Sequence, residues 1–188
     1  MSNAPSPSSG GPSVSHVILT VIGADRPGIV GDLSQWVFEN GGNIEESHMA
    51  LLGGDFAVLM LAAGPPDFAE QLGRNGADFE RRTGLHLFIH SSQAAPRTPE
   101  SPVIRYALSA TTLDHPGIVY RLSALLKMRG INVIHAETRN APAPFTGTPI
   151  FHLNMQIDVP ATLPIAGLRR ELEALCAEQN IDFELKVR

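Results

Sequence analysis

The chain is poor in several things, and each shortage excludes a class of protein. It has one cysteine, Cys176, in 188 residues. A lone thiol builds no internal disulfide and no thiolate metal cage, which fits a reducing compartment, the cytoplasm. It has 14 Lys and Arg against 19 Asp and Glu, a net charge of −5, with the basic residues scattered. Nucleic-acid affinity rests on clustered cations that displace counterions, so direct binding to DNA or RNA is not expected. No apolar run approaches the ~20 residues that span a bilayer. The stretch 1–13 is rich in Ser, Pro and Gly and has no apolar segment, so it reads as a disordered tail and not as a signal peptide. There is no P-loop, nucleophile elbow or dinucleotide fingerprint, and no cofactor is expected.

What the chain does have is a repeat. Asp25-Arg26-Pro27-Gly28-Ile29-Val30 returns as Asp114-His115-Pro116-Gly117-Ile118-Val119, an offset of 114 − 25 = 89. The same offset carries Leu33-Ser34 onto Leu122-Ser123, Gly41 onto Gly130 and Asn43 onto Asn132. Agreement at one fixed offset marks a duplicated structural unit. The polar stretch 91–102, SSQAAPRTPESP, holds three prolines and reads as an extended linker. The expected organisation is a tail at 1–13, a first domain at 14–91, a linker at 92–102 and a second domain at 103–188.

Each copy runs through the same elements. Val17 to Ile22 is a β-branched apolar run, hence a strand. Pro27 is placed to open a helix, with Ile29, Val30, Leu33, Trp36 and Val37 as its apolar stripe. The second copy offers Ile118, Val119, Leu122, Leu125 and Leu126. Asn43 to Leu52 and Phe56 to Ala62 form a hairpin about Gly53-Gly54, and Asn132 to Arg139 pairs with Ile150 to Val159. There Leu153, Met155 and Ile157 alternate with His152, Asn154, Gln156 and Asp158, a strand with one wet or interface face. A second helix follows in each copy, weaker over 67–82 because Gly73 and Gly76 each cost on the order of 1 kcal/mol. Leu85 to His90 and Ile181 to Val187 close the copies. The pattern is βαββαβ twice, an α+β fold of two ferredoxin-like domains. Because Val17 to Ile22 is apolar on both faces, the first sheet is expected to cover itself by pairing.

The Asp-x-Pro-Gly loops are the candidate chemistry. A helix start offers unpaired N–H groups and the positive end of a dipole, which suit a carboxylate as well as a phosphate. Asp25 and Asp114 are placed to accept from a backbone N–H there. The plainer alternative is that Asp-x-Pro-Gly is only a good turn. If the site is real, an Asp at Gly28 or Gly117 is expected to spare folding and abolish binding. His86 and His90 lie four apart on a strand, too spread to hold a metal, and no metal site is expected. Glu45 and Glu46 are neighbours on a strand and do not form an acid–base pair. Trp36 and Cys176 lie on apolar stripes and read as core.

The repeated motif resembles the signature of ACT domains, small βαββαβ effector-binding modules. The tandem arrangement, the hairpin Leu51 to Leu61, Phe151-His152-Leu153 and Glu173 to Cys176 are similar to the glycine cleavage transcriptional repressor group. The resemblance implies an amino-acid effector, such as glycine, held at a domain–domain interface. The loop would give N–H groups to its carboxylate, and the Asn that opens the next strand would help hold it. Carried over, the ligand-binding positions are Asp25, Arg26, Pro27, Gly28, Ile29 and Val30 with Asn43 and Ile44, and Asp114, His115, Pro116, Gly117, Ile118 and Val119 with Asn132 and Val133. His115 in place of Arg26 makes the two sites unequal. The implied protein is a non-enzymatic homodimer that regulates a transcription factor by protein–protein contact. A freestanding regulatory subunit of an amino-acid or folate enzyme is the alternative.

Overall fold

A computed structural model of the chain describes residues 14–92 and 101–188, so the expected tail and residues 93–100 of the linker lie outside the described residues. The chain divides into two compact units, Met1–Pro96 and Arg97–Arg188. The first contains β1 (Ser15–Ala24), α1 (Ile29–Glu39), β2 (Asn43–Leu52), β3 (Asp55–Gly64), α2 (Phe68–Thr83) and β4 (His86–Ser92). The second contains β5 (Val103–Leu113), α3 (Ile118–Met128), β6 (Asn132–Pro142), β7 (Pro149–Pro160), α4 (Ile165–Gln179) and β8 (Asp182–Val187). The antiparallel sheets are ordered β2-β3-β1-β4 and β6-β7-β5-β8. These are two ferredoxin-like βαββαβ units, α+β as the pattern required.

The first core forms where β1 turns Val17, Leu19 and Val21 inward against Ile29, Leu33, Trp36 and Val37 of α1 and Phe68, Leu72 and Phe79 of α2. The helical stripe is narrower than expected. Val30 and Val119 are exposed, while Ile29 and Ile118 are buried. α2 is the longer helix of its unit, and Gly76 does not weaken it in the way its propensity implies. It is buried, and a Cβ there would lie 3.3 Å from Leu87 Cδ2, so the missing side chain lets the helix sit close on β4. The hairpin between β2 and β3 turns through Gly53 (φ 63°) and Gly54 (φ 100°), the two positive values of a type I′ turn. β2 and β6 each carry an irregularity, between Ile44 and Glu46 and between Val133 and His135.

The two sheets leave opposite kinds of open face. In the first, the register places Ile18, Thr20 and Ile22 of β1 beside Leu59 and Leu61 of β3 and His90, Phe88 and His86 of β4, a largely apolar middle flanked by histidines. Leu59 is 50% exposed and Phe88 65%. In the second, Arg105, Ser109 and Thr111 of β5 lie beside Asp158, Asn154 and His152 of β7. One residue of the face expected to be wet or an interface is covered within the sheet itself. Asp158 is buried, because Arg105 lies over it and donates from Nε to Oδ1 at 2.9 Å and from Nη2 to Oδ2 at 3.2 Å. That carboxylate raises the Arg105 pKa further above its usual value, first through these bonds. Cys176 is buried in the second core, and burial pushes its thiol up to about 11. Among the described residues no helix is long and apolar enough to cross a membrane.

Candidate functional site

Both Asp-x-Pro-Gly loops fold in the same way, and not with proline as the first helical residue. The helices begin at Ile29 and Ile118, and the glycines are their N-caps. Gly28 has φ 95° and ψ −6°, and Gly117 has φ 96° and ψ −2°. Those are the angles of the third residue of a type II turn, with Pro27 and Pro116 at the corner before it, where proline's restricted φ is favoured. Glycine is needed because a Cβ in this left-handed region is strained. This corrects the expectation that aspartate at these positions would spare folding. The first helical bonds close from Asp32 N–H to Gly28 O at 2.9 Å and from Arg121 N–H to Gly117 O at 3.0 Å.

The aspartates do not cap the helices. No side chain makes a capping bond at either N-terminus. Instead the Asp25 N–H donates to Gly54 O at 3.1 Å, and the Asp114 N–H donates to Pro149 O at 3.3 Å. Each loop is thereby tied to the adjacent hairpin. The Asp114 carboxylate also accepts from Asn140 Nδ2 at 2.9 Å. With the side-chain cap gone, the first-turn N–H groups that no helical carbonyl can reach remain the donors of each loop. Ile29 and Ile118 are buried, so what they can offer a ligand is backbone alone.

The charges around the two helix starts differ. In the first unit Arg26 Nη2 donates to Asp32 Oδ2 at 2.7 Å and to the Thr83 carbonyl at 3.3 Å. A carboxylate is thus already in the first turn of α1, neutralising the nearest cation. In the second unit the offset of 89 puts Arg121 where Asp32 stands, and the first turn of α3 has no acid. Arg121 Nε lies 3.9 Å from where a Cβ of Gly117 would be, much as Arg26 Nη1 lies 3.8 Å from that of Gly28, but Arg26 is paired with Asp32 and Arg121 has no such carboxylate among the described residues. His115 Nδ1 is 3.3 Å from the Pro116 carbonyl. A helix start with an adjacent cation attracts an anion, and one with an adjacent anion repels it, each by about 0.3–1 kcal/mol at an exposed position.

Asn43 and Asn132 do not lie near their own loops. Asn43 pairs with Ala63, which pairs with His16, whereas the loop leaves β1 at Ala24. The separation is 24 − 16 = 8 residues, about 26 Å along a strand. Asn132 pairs with Asp158 and so with Arg105, again eight residues from Leu113. The strand order explains this: α1 returns the chain to the start of β1 before β2 begins parallel to it. Ile44 and Val133 pack against their cores. Each unit by itself therefore brings together only the loop half of the expected site. Glu45 and Glu46 engage different histidines, His16 at 3.5 Å and His48 at 3.3 Å.

This fold and these loops define a class, and the comparisons agree. Residues 15–88 match the ACT domain family model. The second unit, which that model does not cover, repeats the topology of the first. It is similar to the glycine cleavage system transcriptional repressor of Escherichia coli (strain K12), 28% identical over 176 residues, which are 92% of this chain and 90% of the relative. A crystal structure of an unknown protein from Galdieria sulphuraria is 27% identical, covers 94% of this chain and 99% of its own, and superposes with a TM-score of 0.77. A solved structure attributed to a glycine cleavage system transcriptional repressor, 21% identical over 92% of this chain and 96% of its own, shares the fold with a TM-score of 0.65.

Proposed function

We propose that the chain is a non-enzymatic amino-acid sensor that takes the carboxylate of a small amino acid, such as glycine, on the N-terminal N–H groups of α3. The observation that carries this is the charge at the two repeated loops. Arg121 stands beside the start of α3, whereas Asp32 stands at the start of α1 with Arg26 already bound to it. The second loop is the stronger anion site and the first the weaker one. Asn43 and Asn132 sit a sheet length away from their own loops, so neither completes the loop of its own unit. The similarity to the Escherichia coli repressor supports a regulatory output on glycine cleavage genes. With a net charge of −5, that output runs through a protein partner and not through direct DNA contact. The apolar open face of the first sheet supports a homodimer.

Isothermal calorimetry of the full chain with glycine and a panel of small amino acids tests the sensor. Saturable binding that Arg121→Gln weakens is the expected result, and silence across the panel would overturn it. A gel shift by the purified chain alone, persisting at about 0.15 M salt, where exposed charge contacts are largely screened, would overturn the indirect output.

A further inference from the structure

Trp36, the one tryptophan of the chain, is buried on α1 with its ring centroid 4.7 Å from that of Phe79 on α2. It is 3% exposed, and among the described residues its Nε1 donor has no acceptor. Buried donors in folded proteins are nearly always paired, so an indole N–H left over on a residue that lines a hollow points to something that binds there. Two such hollows, of about 140 and 240 Å³, lie along the α1–α2 groove, and Trp36, Glu39 and Arg82 line both. One runs to Thr83 and the other to Asn40 and Asn75.

The two charged side chains are each half engaged. Glu39 accepts from Gln35 Nε2 through Oε1 at 2.7 Å, and Arg82 donates from Nε to Asp78 Oδ2 at 2.9 Å. Among the described residues, Glu39 Oε2 and the two terminal nitrogens of Arg82 carry no further hydrogen bond or ion pair. The groove thus offers one neutral donor, one fork of cationic donors and the anionic acceptor of Glu39 around an aromatic floor, while the carboxylates of Asp32 and Asp78, which also line it, are already paired with Arg26 and with Arg81 and Arg82. A carboxylate satisfies the first two, and an ammonium group satisfies the third.

We propose that the α1–α2 groove of the first unit binds a small zwitterion, its carboxylate on Trp36 Nε1 and Arg82 and its ammonium group on Glu39. This site adjoins the first Asp-x-Pro-Gly loop, whose Arg26 binds Asp32 and Thr83 at the edge of the smaller hollow, and it is distinct from the loop that opens α3. It belongs to the first unit alone, because the offset of 89 puts Leu125 in place of Trp36 and Met128 in place of Glu39 on α3. The repeat therefore has a loop site favoured in one unit and a groove site built only in the other.

As the single tryptophan, Trp36 reports on its own site. The full chain is titrated with glycine, L-serine and L-alanine while Trp36 emission is followed, with N-acetylglycine, which lacks the ammonium group, as the control. The expected result is a saturable emission change with at least one of the three amino acids and none with N-acetylglycine. Arg82→Gln and Glu39→Gln, both exposed and outside the core, should each weaken that response by about tenfold, the size of a lost charge-assisted bond. Arg121→Gln should leave it unchanged. Flat emission with all three amino acids would overturn the groove and leave the indole N–H as an unpaired donor of the core. A response that Arg121→Gln abolishes while Arg82→Gln and Glu39→Gln keep it would overturn the groove and leave the loop reading standing.

Discussion

Arg26 and Asp32 form an ion pair across the first turn of α1, Nη2 to Oδ2 at 2.7 Å, and in the second unit the counterpart of the acid is itself an arginine, Arg121. The duplication kept the backbone of the loop and reversed the charge beside it. Backbone geometry and ligand competence are therefore separable properties of this motif, and they can be tested one at a time.

The first test concerns charge. Arg121→Gln should weaken amino-acid binding at the second loop by about three- to tenfold, consistent with roughly 1 kcal/mol for one cation at a helix start. Asp32→Asn should not weaken it. Calorimetry at two salt concentrations checks both variants, because the Arg121 contribution should shrink as salt rises. An unchanged affinity in Arg121→Gln would remove the second loop from the sensor.

The second concerns the backbone. Gly28→Asp and Gly117→Asp each force a Cβ into φ near +95°. The strain should cost about 1–2 kcal/mol and lower the melting temperature of the affected unit by about 5 °C or more. Gly31→Ala, at an open position with nothing within 4 Å of the new Cβ, should do neither. Melting curves followed by circular dichroism decide it. A Gly28→Asp variant as stable as the wild type would show that the turn relaxes to other angles.

The third concerns the open face of the first sheet. Leu59 and Phe88 stand exposed on either side of Thr20, on a face that also carries Ile18, Ile22 and Leu61 and, towards its edges, His48, His86 and His90. A charge there should disrupt association without disturbing the core. Phe88→Asp should shift sedimentation at micromolar concentration towards monomer while far-ultraviolet circular dichroism is unchanged. The matching change on the polar second sheet, Asn154→Asp, should leave sedimentation as it was. A wild-type chain that is monomeric at high concentration would remove the homodimer.

The fourth concerns Cys176. Its thiol is buried and pushed up to about 11 from 9.0, so the folded state holds that proton where the unfolded chain loses it. The stability it contributes is complete below pH 9 and declines as pH rises from 9 towards 11, because there the unfolded state binds fewer protons. Urea midpoints measured over that range should fall more in the wild type than in Cys176→Ala. Ellman's reagent at pH 8 should leave the native thiol unmodified and react after denaturation.

Much of this protein was legible in its residues because two signals are local or periodic. The offset of 89 exposed the duplication, and alternation such as Leu153, Met155 and Ile157 named the strands and their inner faces, since side-chain direction along a strand has a period of two. The Asp-x-Pro-Gly motif pointed to both loops for the same reason. What the residues could not show is where groups distant in the chain finally stand. Proline's usual place at a helix start hid the type II turn that makes Gly28 and Gly117 necessary. The motif joins Asn43 to its loop in sequence, and only the order β2-β3-β1-β4, with β2 parallel to β1, shows that they stand at opposite ends of the sheet. The alternation puts Asp158 on a wet or interface face, and only the fold shows Arg105, 53 residues earlier, lying across it. The Trp36–Glu39–Arg82 groove carries no spacing signal at all, because α1 and α2 supply its walls from segments joined through a hairpin. Composition and periodicity determine which elements form and which face turns inward. Helix packing and strand order, set by burial of the whole core at once, decide which charges meet.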